Sequence, residues 1–177
     1  TETNLAAGTY TVTITDLHGC TTAEMVNLTE PTGLTGSASV SSMLYCNGDT
    51  NGELSASASG GTSPYTYVWN TGGTTATENN LAAGTYTVTI IDQDGCTTAE
   101  MVNLTEPTAL TGSASVSSML YCNGDTNGEV SASASGGTSP YTYVWNTGET
   151  TATETNLAAG TYTVTITDLH GCTTAEM

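Results

Sequence analysis

The chain has no lysine, no arginine and no phenylalanine among its 177 residues. With 17 acidic side chains and two histidines, the formal net charge is −17. Each absence excludes something. A surface without Lys or Arg cannot neutralise phosphates, which excludes nucleic acid as a partner. Docking to an anionic membrane falls for the same reason. Stability must come from burial, hydrogen bonds and disulfides, because Lys/Arg–carboxylate pairs cannot form. Trypsin-like proteases find no cleavage site. No run approaches the roughly 18 apolar residues of a membrane helix, so no membrane insertion is expected. No signal-peptide pattern is visible at the start. Repulsion among carboxylates keeps copies soluble and apart unless cations screen it.

What is present is repetition, the first thing to look for in a sequence. Thr1–Met25 and Thr153–Met177 are identical, and Thr77–Met101 is a near copy. The offset is 76 residues each time, and Val26–Met101 maps onto Val102–Met177 without a gap. The two differ only at Gly33/Ala109, Leu54/Val130, Gly73/Glu149, Asn79/Thr155, Ile91/Thr167, Gln93/Leu169 and Asp94/His170. The boundary falls at LTEPT, Leu28–Thr32 and Leu104–Thr108. Pro31 and Pro107 lack the N–H that a sheet ladder needs. Residues 1–32 then read as the C-terminal part of a preceding repeat and 33–108 as a complete repeat. Residues 109–177 read as a repeat lacking the end of its last strand.

Each repeat alternates with period two, the pattern of half-buried strands. Tyr86, Val88 and Ile90 share one face; Leu54, Ala56 and Ala58 share another; Tyr65, Tyr67 and Trp69 a third. Turn strings separate the strands: NGDTNG, GGTSP, NTGG, LAAG and DQDG. About six short strands in 76 residues predict an all-β chain of tandem Ig-like sandwiches. A β-solenoid is the other reading, but its coils repeat at shorter intervals. Trp69 and Trp145 are the expected core aromatics. Tyr86 and Tyr162 are expected to form tyrosine corners over Leu-Ala-Ala-Gly.

One resemblance follows from these residues. GGTSPYTYVWNTG, TTATENNLAAGTYTVTI and DQDGC, in that order across residues 60–96, resemble the SprB-type repeat of Bacteroidota surface proteins. That repeat is similar in turn to polycystic-kidney-disease (PKD) type Ig-like domains. The resemblance implies tandem arrays in long secreted cell-surface adhesins, some tied to gliding motility, at an extracellular location. It names no ligand.

The five cysteines are Cys20, Cys46, Cys96, Cys122 and Cys172. In an up-and-down arrangement of six strands, the turns at Cys46 and Cys96 fall at the same end. Pairing within repeats is therefore expected, Cys46 with Cys96 and Cys122 with Cys172. Cys20 is left over as the equivalent of Cys96. Disulfides fit an oxidising, extracellular setting.

CNGDTNGE is the candidate metal site. Asn47, Asp49, Asn51 and Glu53, with Asn123, Asp125, Asn127 and Glu129, place oxygen ligands at every second residue, as a calcium loop does. The bidentate Glu of such a loop has no counterpart, since its position is Ala58. A plain inter-strand turn uses the same residues. No other cofactor is implied. His18 and His170 read as exposed turn residues, and Tyr45 and Tyr121 as exposed by parity. No nucleophile–base set is present, so no enzyme is expected. The expected role is a stiff acidic stalk or fibre of an adhesin or filament. Its partners are neighbouring repeats of the same chain or fibre. The alternative is a multivalent module that binds glycans or a surface polymer.

Overall fold

The computed structural model describes residues 2–177 and is all-β among them. A hairpin comes first, β1 (Gly8–Thr15) with β2 (Thr21–Leu28). The next six strands are β3 (Thr35–Ser42), β4 (Gly52–Ser59), β5 (Thr66–Trp69), β6 (Thr77–Leu81), β7 (Gly84–Ile91) and β8 (Thr97–Leu104). The last six are β9 (Thr111–Ser118), β10 (Gly128–Ser135), β11 (Thr142–Trp145), β12 (Thr153–Leu157), β13 (Val164–Thr167) and β14 (Thr173–Glu176).

The strands β3–β8 form two antiparallel three-stranded sheets, ordered β3-β4-β6 and β5-β7-β8. Their facing sides close on Leu44, Leu54, Ala56, Trp69, Leu81, Val88, Ile90 and Leu104. These are the inward parities of the alternating sequence. Fully burying each large apolar side chain is worth roughly 1.5–3 kcal/mol. Trp69 lies at the centre, and its indole N–H reaches Thr75 O at 2.9 Å. The tyrosine corner forms as expected, with Tyr86 Oη donating to Ala82 O at 2.8 Å. Outside, serine hydroxyls bridge β3 and β4: Ser37 to Ser57 at 2.8 Å and Ser39 to Ser55 at 3.2 Å. Neutral hydroxyl pairs occupy positions that charged pairs take in other sheets.

The second set repeats this plan, β9-β10-β12 against β11-β13-β14, with Trp145, Val164 and Ile166 buried. It differs in the length of one strand. In the first set, Gly84–Thr87 of β7 pair with Met101–Leu104. The corresponding strand β13 covers only Val164–Thr167, paired with Thr173–Glu176.

Strand direction is where the molecule departs from a simple meander. β5 pairs antiparallel with β7, and β6 antiparallel with β4. Leu81 and Gly84 are three residues apart, so β6 ends where β7 begins. Consecutive strands β5 and β6 therefore run the same way in opposite sheets. The crossing segment between them is held by Trp69 N–H to Gly73 O and Ala56 N–H to Ala76 O. This one step places the 46–51 turn and the 92–96 turn at opposite ends of the sandwich. Two glycines mark those ends. A Cβ on Gly52 would run into Leu104 Cδ2, and one on Gly61 would lie 2.6 Å from Asp92 Oδ2.

Candidate functional site: the joint between repeats

A disulfide, a ring contact and a set of side-chain hydrogen bonds gather where one sandwich meets the next. On the first side is the turn after β3. Asp49 closes it, its Oδ2 accepting the Cys46 N–H at 2.9 Å while its own N–H reaches Cys46 O at 3.2 Å. Gly48 takes φ +83°, a left-handed backbone suited to glycine. The Gly48 N–H and the Asn47 amide then point to the linker. Glu106 accepts both, Gly48 N–H at 2.6 Å and Asn47 Nδ2 at 3.0 Å, and Pro107 O accepts Asn47 Nδ2 at 3.2 Å.

On the second side is the β13–β14 turn. Asp168 organises it: Oδ1 accepts the N–H groups of His170 and Cys172, each at 2.9 Å, and Oδ2 accepts that of Thr138 at 2.8 Å. Burial pushes the Asp168 carboxyl up. The three N–H donors and the nearby His170 charge outweigh it and hold the group below its ordinary value. Asp92 does the same at the equivalent place. There the Thr62 N–H acts first, against burial, with Cys96 and Asp94 N–H adding to it, and the net shift is again downward.

The two turns meet. The ring centroids of Tyr45 and His170 are 4.7 Å apart, and Cys46 is disulfide-bonded to Cys172 with 5.7 Å between Cα atoms. The bond spans 126 residues and joins one repeat to the next. In the chain-entropy picture a loop of that size stabilises the folded state by about 5 kcal/mol.

This corrects the expected pairing. Cys46 does not bond Cys96, and Cys122 does not bond Cys172; Cys20, Cys96 and Cys122 are free and exposed. The reason is topological. Eight-residue β7 separates the two ends of a sandwich by about 26 Å. A disulfide tolerates no more than about 7 Å between Cα atoms. The up-and-down order breaks at β5 and β6, which run the same way in opposite sheets.

The calcium candidates are dispersed among other bonds. Asp49 and Asp125 serve as turn-closing acceptors, Asp125 for Cys122 N–H at 2.7 Å. Asn47 points to the linker, and Glu53 accepts the Ser41 hydroxyl at 2.9 Å. Asn51, Asn123, Asn127 and Glu129 lie on the same two turns and strand starts. Among the described residues, no group of three or more His, Cys, Asp or Glu is placed to hold a metal ion. Glu106 and His170 are the joint residues that sequence reasoning missed. Their signal was adjacency: Glu106 precedes the linker proline, and His170 sits two residues before a cysteine.

A tandem array of Ig-like sandwiches is the class of protein that this fold and joint define. Two stretches, residues 38–74 and 114–150, one in each sandwich, match the family model described as the SprB repeat. No curated protein matches the chain. Among solved structures it is similar to three N-terminal domains of the highly immunogenic outer capsid protein (Hoc) of bacteriophage RB49. That likeness has 19% identity and a TM-score of 0.43, covering 82% of this chain and 58% of that one. It is also similar to a tetra-tandem repeat in the extending region of a large adhesion protein. There the identity is 17% and the TM-score 0.27, covering 98% of this chain and 56% of that one. The chain thus spans little more than half the length of either.

Proposed function

We propose that this repeat region is a spacer of a secreted cell-surface adhesin or filament, acting as a stiff acidic stalk. The observation that carries the reading is the joint. Adjacent sandwiches are fixed by a disulfide, a Tyr–His contact and a linker clamped through Glu106. Such a joint resists bending, which a spacer needs and an isolated binding module does not. The near-identity of the repeats suits spacing, since each copy does the same job. The surface location follows from the same reading, and disulfides persist in that compartment.

Glycan binding through repeated weak sites is the competing function, by avidity. Its aromatic platform would be Tyr65, Tyr67 and Trp69, yet Trp69 is 2% exposed and the two tyrosines pack against the core.

Small-angle scattering of the oxidised and reduced chain, beside a glycan array, tests the proposal. A stalk gives one fixed inter-repeat distance when oxidised, a broader distribution after reduction, and no saturable glycan binding. A broad distribution in the oxidised chain together with saturable binding would transfer the function to glycan recognition.

A further inference from the structure

Half of the same joint recurs at two other places. At the far end of the second sandwich, Tyr121, Cys122, Asn123, Gly124 and Asp125 repeat Tyr45–Asp49 residue for residue. Asp125 makes the same turn-closing bond, and Gly124 has φ +89° against +83° at Gly48. The difference lies in what covers them: Tyr45 is 47% exposed beside His170, whereas Tyr121 is 85% exposed. At the near end of the first sandwich, Asp92 holds the Cys96 turn as Asp168 holds the Cys172 turn, with N–H donors at 2.8–3.0 Å. Both halves hold the same turn geometry as their counterparts at the joint.

We propose that the Tyr121–Asp125 surface is a docking site for the Asp-x-x-Gly-Cys turn of a further repeat of this sequence, closed by a disulfide at Cys122. In a longer array each repeat then carries one half-cystine at each end, and every joint is bonded. The bond needs an external disulfide oxidant, such as oxidised glutathione. The Cys122 thiolate attacks one of its sulfurs and expels a thiolate. The thiolate of the incoming turn then attacks the Cys122 sulfur, forms the inter-repeat bond and expels the second thiolate. Two cysteine thiols are oxidised, one oxidant disulfide is reduced to two thiols, and the two cysteine protons pass to solvent or to the released thiolates.

The mechanical consequence follows from the spacing. The Cys46–Cys172 bond bypasses 126 residues, and 26 residues separate Cys20 from Cys46, the run between one bond and the next in its series. Two repeats hold 152 residues, which unbonded could extend to about 520 Å, but the bonded path through them extends to about 90 Å. The array becomes nearly inextensible even when its sandwiches unfold.

The test is the full chain with one more copy of Val102–Met177 appended, air-shielded and folded with oxidised glutathione, then alkylated and mapped with a Glu- or aromatic-directed protease. The 177-residue chain has three free thiols. The expected count for the extended chain is again three, with Cys122 joined to the appended copy of Cys172. The Cys46–Cys172 peptide in the same map reports that the joint has folded. A single free thiol, which pairing within repeats would give, overturns the proposal. So does a free Cys122 beside an intact Cys46–Cys172 bond, or loss of that bond.

Discussion

The hairpins β1–β2 and β7–β8 have nearly the same sequence and the same register, Gly8 facing Leu28 and Gly84 facing Leu104. Their surroundings are opposite. Val12, Ile14 and Leu28 are 57%, 56% and 43% exposed, whereas Val88, Ile90 and Leu104 are at most 1% exposed. Strand pairing is thus a local property of these residues, set by alternation and the Asp-centred turn. Burial is not local. It comes from β3, β4 and β6, which close over the second hairpin; among the described residues no strand packs on the matching face of the first.

The comparison breaks most sharply at the isoleucines. Ile90→Ala should cost about 3 kcal/mol of the first sandwich's stability, by transfer and cavity together. Ile14→Ala, on the exposed hairpin, should stay within about 0.5 kcal/mol. Thermal melts followed by tryptophan fluorescence separate the two; equal effects would mean that the first hairpin is covered in solution. Tyr86→Phe comes next, losing the bond to Ala82 O for about 1 kcal/mol. Tyr10 makes the same bond to Ala6 O at 2.7 Å, but no core depends on it, so Tyr10→Phe should leave the melt unchanged.

A smaller effect separates the turns by pH. Asp92 and Asp168 have carboxyl groups held below the ordinary 3.8 in the folded chain. Their contribution is therefore fully present above that value and is lost as pH falls through the folded-state pKa. Asp92→Asn with Asp168→Asn should lower stability at neutral pH and flatten the decline below about pH 4. An unchanged acid limb would contradict the assignment. The smallest effect is expected from chelation. Asp49 and Asp125 already accept the backbone N–H groups of their own turns. EDTA should leave the melting midpoint where it is, and a fall would install calcium at those turns.

Much of this was legible beforehand because period-two alternation fixes which residues face inward. Val88, Ile90, Leu54 and Trp69 follow from parity alone, and the tyrosine corner follows from Leu-Ala-Ala-Gly-Thr-Tyr. The joint was not legible. It depends on the direction in which the chain leaves β5, and the Asn70–Ala76 segment carries turn residues that suit either direction. A reversal there moves Cys96 to the opposite end of its sandwich without altering any local pattern. His170 and Tyr45 were each readable as exposed, yet their contact exists only once the two ends are correctly assigned.

The covalent tie runs between repeats and not within them. Mass mapping of the oxidised, alkylated 177-residue chain tests it directly. The expected products are a Cys46–Cys172 peptide and alkylated Cys20, Cys96 and Cys122. Peptides joining Cys46 to Cys96 and Cys122 to Cys172, with only Cys20 alkylated, would contradict it.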